Sequence, residues 1–425
     1  MSADPVAVAR ESQTPARMKR LGSGLITGAA DDDPSGIATY SQAGAVWGYT
    51  MLWTVVLTLP LMIGIQMICA RVGRVTGRGL AANMRAHLPR PFLLAVVMLL
   101  LVANVINLAA DIGAMGAAVG LLLGGPSWFY ALVLVIVSLG LEVFVPFDRY
   151  APVLKWLTVS LLAYVATALI VHVTWLDALT RSWQAWPWSA GYCVVVVGVF
   201  GTTISPYLFF WQASEEVEEE EQSPIDHPLI DAPEQADASF SRIRFDTVFG
   251  MTFSNIVAFF IIVTAASILH AHGVVDIRTP ADAARALEPL AGRWASLLFA
   301  AGIVGTGLLA IPVLAGSAAY AVTEALGARS SLSEKPGNAK VFYRIIIGAM
   351  LLGIVLSCLP LDPLRLLFWS AVINGVIAVP LMVAIMWVAS HPGVMGQFVI
   401  GGWLRWLGWG ATAVMALAVL GMFAL

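Results

Sequence analysis

Hydrophobic positions fall in long continuous runs parted by short polar connections, and none of the runs alternates apolar with polar. Runs occupy about 21–46, 49–70, 91–120, 127–147, 151–173, 189–213, 243–271, 294–325, 341–360, 364–389 and 400–424. Each is long enough for the roughly 17–25 residues that carry a helix across a bilayer, so the pattern predicts eleven transmembrane helices. Continuity excludes a transmembrane β-barrel, whose strands alternate. Two runs carry an internal interruption: "DDDPSG" at 31–36 and "TTISPY" at 202–207.

Composition agrees. Of 425 residues, 59% are hydrophobic and 12% charged, with a mean hydropathy of +0.84, whereas soluble domains carry about 25% charge. The chain is expected to be an all-α integral membrane protein. Residues 1–20 are polar and basic without an apolar core, so no cleavable signal peptide is expected and this stretch reads as a cytoplasmic tail. With the N-terminus inside, 18 lysines and arginines fall on inner segments and 5 on outer ones. That asymmetry predicts a multi-pass protein of the cell (inner or plasma) membrane, N-terminus cytoplasmic and C-terminus extracytoplasmic. The three cysteines, Cys69, Cys193 and Cys358, lack metal-ligand spacing, and no resident cofactor is expected. The tryptophans, including Trp47, Trp175, Trp183, Trp186, Trp188 and Trp403, cluster near span ends as anchors in the lipid interface rather than as a nucleic-acid surface. No obligatory protein partner is evident.

Five spans put the sixth in the opposite sense to the first, which permits a five-plus-five inverted repeat: 21–173 for helices 1–5 and 189–389 for helices 6–10. The second repeat holds an acidic connection at 214–242, and 400–425 adds helix 11. Both interrupted spans hold a proline at matching positions, the pattern that points to a transport site near the midplane. A carboxylate in mid-membrane costs about 2.5–3.5 kcal/mol even on a lenient scale, so three in a row must face a cavity. Carboxylates beside freed carbonyls suit a cation. In the competing assignment "DDDPSG" is a surface turn and 37–58 the span, which strands 21–30 as a short apolar orphan.

"GSGLITGAADDDPSGIATYSQAGA" resembles the first helix of the NRAMP divalent-metal transporters, whose unwound segment reads Asp-Pro-Gly-Asn. "GTTISPYLFFWQAS" resembles their sixth, which reads Ala-x-x-Met-Pro-His. The resemblance implies a LeuT-like fold with helices 1 and 6 unwound, and a divalent ion held between them as substrate. It places Asp33 and Pro34 at the family's Asp-Pro, Gly36 at its asparagine, Thr202 at its carbonyl ligand, Ser205 at its methionine and Tyr207 at its histidine. The soft thioether thus becomes a hydroxyl, leaving oxygen donors only. Small residues at 36 and 205 are expected to leave room for a hydrated ion, and Mg²⁺ dehydrates reluctantly. These departures resemble the NRAMP-related magnesium transporters, so Mg²⁺ is the expected preference with Mn²⁺ also accepted. Proton-coupled Mn²⁺/Fe²⁺ import of the ordinary family type is the alternative.

The metal set implied is Asp33, Gly36, Thr202 and Ser205, with Asp32 in support and Asn374 of span 10 near the family's helix-10 glutamine. Asp31 and Asp32 serve either as an attracting vestibule or as caps of the second half-helix. Proton-coupled relatives carry Asp and Glu where this chain has Asn107 and Ala110, leaving Asp111 about 100° around the helix, so transport uncoupled from protons is expected. The six glutamates within 215–221 are expected to form a solvated, partly disordered helix extension, or a weak Mg²⁺ antechamber. No enzyme is expected: an intramembrane aspartyl protease needs a Gly-x-Gly-Asp motif, which is absent.

Overall fold

The computed structural model describes residues 27–28, 30–145, 149, 159–171, 173–184, 186–275, 277, 279–332, 337–359 and 362–425. The basic tail at 1–20 and the start of the fifth span lie outside them, as do Lys155, Arg278 and Lys335 of the charge asymmetry. The described residues form helices and turns with no strand.

Residues 27–28 and 30–31 are helical, and Asp32 and Asp33 are not. Helix then resumes as α1 (Pro34–Trp47) and, after a 3₁₀ turn, continues as α2 (Leu52–Thr76). The helical stretch from Pro34 to Thr76 is 43 residues. The 3₁₀ turn at Gly48–Met51 divides it into segments of 14 and 25 residues, read as the end of the first pass and the second. The turn between them is set by Gly48, whose φ of +59° favours glycine and which lies against the His270 ring. A short α3 (Leu80–His87) leads to α4 (Arg90–Leu123) and α5 (Ser127–Phe144). At the fifth run α6 (Leu162–Ile170) is followed, across a bend of 105°, by α7 (Trp175–Gln184), so the connection at 174–188 is partly helical.

The sixth span breaks like the first, into α8 (Ala190–Thr203) and α9 (Pro206–Glu221). The remaining long helices are α10 (Ala236–Ile268), α11 (Ala295–Leu326), α12 (Lys340–Ser357), α13 (Pro363–Ser390) and α14 (Gly402–Ala424). Nine helical stretches among the described residues are long and apolar enough to span a membrane, ten with the bent pair. Counting the 43-residue stretch as two passes gives the expected eleven.

Burial orders the bundle. The most apolar window of the broken sixth span is 94% buried, while those of α5 and α14 are 22% buried and turn Phe129, Ile136, Leu417 and Leu420 outward to lipid. Small residues bring the central helices together: a Cβ at Gly201 of α8 would overlap the Ala371 carbonyl and Gly375 of α13. Helices pack this closely where small residues replace side chains at membrane interfaces. The two ends differ in chemistry. One is rich in tryptophan, with Trp47, Trp53, Trp186, Trp188 and Tyr192 in mutual contact. The other carries the glutamates of α9.

Those glutamates correct the expected solvated extension. Helix α9 runs on through Glu221, and Glu215, Glu216, Glu218 and Glu220 are at most 8% exposed. Arg74 of α2 meets Glu220 at 2.9 Å, Arg242 of α10 meets Glu216 at 2.5 Å and Glu219 at 2.7 Å, and Tyr320 of α11 donates to Glu218. Two arginines and a hydroxyl from three other helices partner Glu216, Glu218, Glu219 and Glu220, so this face of the block folds inward.

Candidate functional site

Both helix breaks have one local cause. The residue before proline is driven out of the α region. Asp33 has φ −69° and ψ 169°, and Ser205 has φ −77° and ψ 129°. The two residues then cap in opposite directions. Asp33 Oδ1 accepts from Gly36 N and from Ser35 Oγ, both at 2.7 Å, and so caps the start of α1. Ser205 Oγ turns back to the carbonyls of Thr202 at 2.6 Å and Gly201 at 3.0 Å, occupying acceptors that the end of α8 leaves without partners.

Asp33 sits where the breaks meet α4. Its Oδ2 accepts from Asn107 Nδ2 and from the Tyr207 hydroxyl, both at 3.2 Å. The same hydroxyl lies 3.1 Å from the Ala30 carbonyl, at the end of the first half-helix. Tyr207 has a single proton for two acceptors. A cation arriving at Asp33 can therefore displace that proton toward Ala30 without stranding it.

The predicted residues do not all converge. Gly36 and Thr202 meet: a Cβ at Gly36 would lie 3.2 Å from Thr202 Oγ1 and 3.3 Å from the Tyr40 ring. A side chain at residue 36 would therefore press on α8 and Tyr40. Thr202 Oγ1 is buried without a hydrogen bond, while its carbonyl is engaged by Ser205. Asn374, 1% exposed on α13, has a bare Nδ2, and its neighbour Gly375 abuts Gly201. Asp32 turns away from Asp33: its Oδ1 lies 3.0 Å from Ser254 Oγ of α10, beside Asp31. Among the described residues no three His, Cys, Asp or Glu side chains form a metal-holding group. The centre is one carboxylate among neutral oxygen and nitrogen groups.

Two of its members were visible in the sequence only as departures from a family pattern. Asn107 and Tyr207 bond to the very carboxylate around which the site is built. Asp111 follows Asn107 by four residues and so shares its face of α4. It is fully buried, neither oxygen has a partner, and it lies within electrostatic range of Asp33. Ser254 was missed, its one signal being a polar Ser-Asn pair inside an apolar run.

Two broken helices meeting at a buried carboxylate within an apolar helical bundle define an integral membrane protein of LeuT-like fold. The chain belongs to the Nramp family, described as natural resistance-associated macrophage protein-like, which it matches over residues 24–425. It is 28% identical over 406 residues to the divalent metal cation transporter MntH of Klebsiella pneumoniae, covering 94% of this chain and 92% of that one. Against MntH of Pectobacterium carotovorum it is 27% identical over 407 residues, covering 92% and 90%. In structure it resembles the Eremococcus coleocola manganese transporter, with a TM-score of 0.69 at 17% identity over 94% of this chain and 85% of that one. It also resembles a Na⁺-coupled sialic acid symporter, with a TM-score of 0.58 at 12% identity over 94% and 89%. These relatives are transporters, not enzymes.

Proposed function

We propose that the chain is a secondary transporter of divalent metal ions with Mn²⁺ as substrate, holding the ion at Asp33 between the two broken helices and exposing it to each side of the membrane in turn. The observation that carries this is Asp33 itself, 1% exposed, at the crossing of both breaks with α4. Asp33 supplies the charge. Thr202 Oγ1 and the Ser205 hydroxyl supply oxygens, Asn107 and Asn374 supply amide oxygens on reorientation, and Gly36 lets α8 approach. The named relatives, divalent metal and manganese transporters, support the substrate class. The lysine and arginine asymmetry supports an N-terminus in the cytoplasm and a plasma-membrane location.

Mg²⁺ is a second reading, favoured by one observation: these donors include no sulfur. Oxygen donors accept Mn²⁺ and Mg²⁺ alike. The named relatives, divalent metal and manganese transporters, favour the Mn²⁺ reading over the Mg²⁺ one. Proton coupling accompanies the Mn²⁺ reading. The uncoupled expectation rested on lost carboxylates, but Asp111 keeps one on the Asn107 face, and we assign it the proton.

The test is ion flux into proteoliposomes under a potassium-set potential with a pH dye inside. Mn²⁺ uptake with acidification is expected, lost in Asp33→Asn. Mg²⁺ uptake without acidification would instead favour the second reading, and Ser205→Met should then shift selectivity toward Mn²⁺. Absence of flux for both ions would overturn the proposal.

A further inference from the structure

The first half of the broken helix lies backbone to backbone on α10: a Cβ at Gly28 would collide with the Gly250 main chain. About one turn farther along each helix, Asp31 and Asp32 meet Ser254. Ser254 Oγ is 2.6 Å from Asp31 Oδ2 and 3.0 Å from Asp32 Oδ1. A hydroxyl has one proton to donate, so one of these oxygen–oxygen contacts lacks a hydrogen from serine. Asp31 Oδ1, in a side chain with no solvent exposure, has no partner at all. Among the described residues no lysine or arginine forms an ion pair with either aspartate.

Two adjacent buried carboxylates without a counter-charge are strongly disfavoured. What is missing is a positive charge bound by oxygen. The structure assigns a second cation site to Asp31, Asp32 and Ser254, separate from Asp33 and suited to a dehydrated hard cation, Na⁺ or Ca²⁺. All three residues are at most 2% exposed, which leaves no water shell of the kind Mg²⁺ retains. No nitrogen or sulfur donor is present to favour a softer ion. The site would tie the first half-helix to α10 whatever Asp33 holds, so it does not depend on the transport reading.

The test is equilibrium unfolding of the full-length protein in nanodiscs, followed by tryptophan fluorescence. NaCl replaces choline chloride at fixed ionic strength in one arm, and CaCl₂ is added in the other. A ligand that binds only the folded state leaves the midpoint unchanged below its Kd and raises it with the logarithm of its concentration above it. A logarithmic rise with either cation, kept in Asp33→Asn and with its onset moved to at least about tenfold higher concentration by Asp32→Asn and by Ser254→Ala, is the expected result. Which arm responds identifies the ion. Ser254→Ala removes no charge and carries the test should Asp32→Asn fail to fold, and Ser254→Thr should restore binding. No rise in either arm would overturn the proposal and leave a proton as the neutralising group. A rise abolished by Asp33→Asn would overturn it too, by merging the two sites. Wild-type protein that shows the rise but no flux of Mn²⁺ or Mg²⁺ would refute the transport reading alone.

Discussion

Asp33 accepts four hydrogen bonds, two from its own turn and two from residues 74 and 174 positions away, Asn107 and Tyr207. The near pair sets where the carboxylate sits. The distant pair sets which way Oδ2 faces, so Asn107 and Tyr207 orient the carboxylate rather than supply its charge. Losing a group that orients a metal ligand costs about 10–100-fold in affinity. Asn107→Leu and Tyr207→Phe should each raise the Mn²⁺ concentration for half-maximal uptake by about that factor. Because they share one oxygen, the double variant should fall well short of the product of the two effects. Full multiplicativity in the uptake assay would show that they act at separate places. At this scale the sequence pointed to Asp33, through the cost of a carboxylate before a proline in an apolar run. It could not pair Asp33 with Asn107, because nothing periodic links positions 74 apart, nor show that Asp32 points to the opposite side from Asp33.

Helix boundaries were legible because proline and glycine act locally. Pro34 and Pro206 place the breaks, and the apolar runs place the spans, though helix continues about two turns into polar sequence at the ends of α2 and α9 and at the start of α10. The acidic end of α9 was not legible, since a run of glutamates looks solvated until the cations on other helices are located. Arg74 is the strongest case: it is 2% exposed and bonds Glu220 at 2.9 Å, Gln235 Oε1 at 2.8 Å and the His227 carbonyl at 2.5 Å. Removing one partner of a buried ion pair leaves the other uncompensated, at about 3–5 kcal/mol. Arg74→Met should therefore lower the unfolding midpoint in detergent markedly. Arg74→Met combined with Glu220→Gln should recover most of the loss, and failure to recover would mean that Arg74 serves chiefly His227 and Gln235.

Across the whole molecule the site is closed from both ends, with Asp31, Asp32 and Asp33 at most 2% exposed. Each end is held by different bonds. At the acidic end Arg74 and Arg242 hold α9 to α2 and α10. At the tryptophan end Gln42 of α1 bonds Val275 O at 3.3 Å and accepts from Ile277 N at 3.2 Å, Tyr49 meets Ser267 at 2.8 Å, and His270 meets the Ala45 carbonyl at 2.9 Å. Behind Gln42 lies a cavity of about 420 Å³, lined by Ala38, Ile277, Arg365, Phe368 and Trp369. Residue Ala38 lies five residues along α1 from Asp33, about one and a half turns, and lines that cavity, so access to it reports opening at this end. If the two sets of bonds oppose each other, weakening one should favour opening on its own side and disfavour the other. In a Cys358→Ser background, which removes the exposed thiol and leaves Cys69 and Cys193 buried, an Ala38→Cys probe can be labelled with a membrane-impermeant reagent from the tryptophan side. Gln42→Ala should raise its labelling rate severalfold and Arg242→Ala should lower it. Equal increases in both variants would mean that the bonds merely stabilise the fold, whereas opposite shifts would make them the two latches of one alternating equilibrium around Asp33.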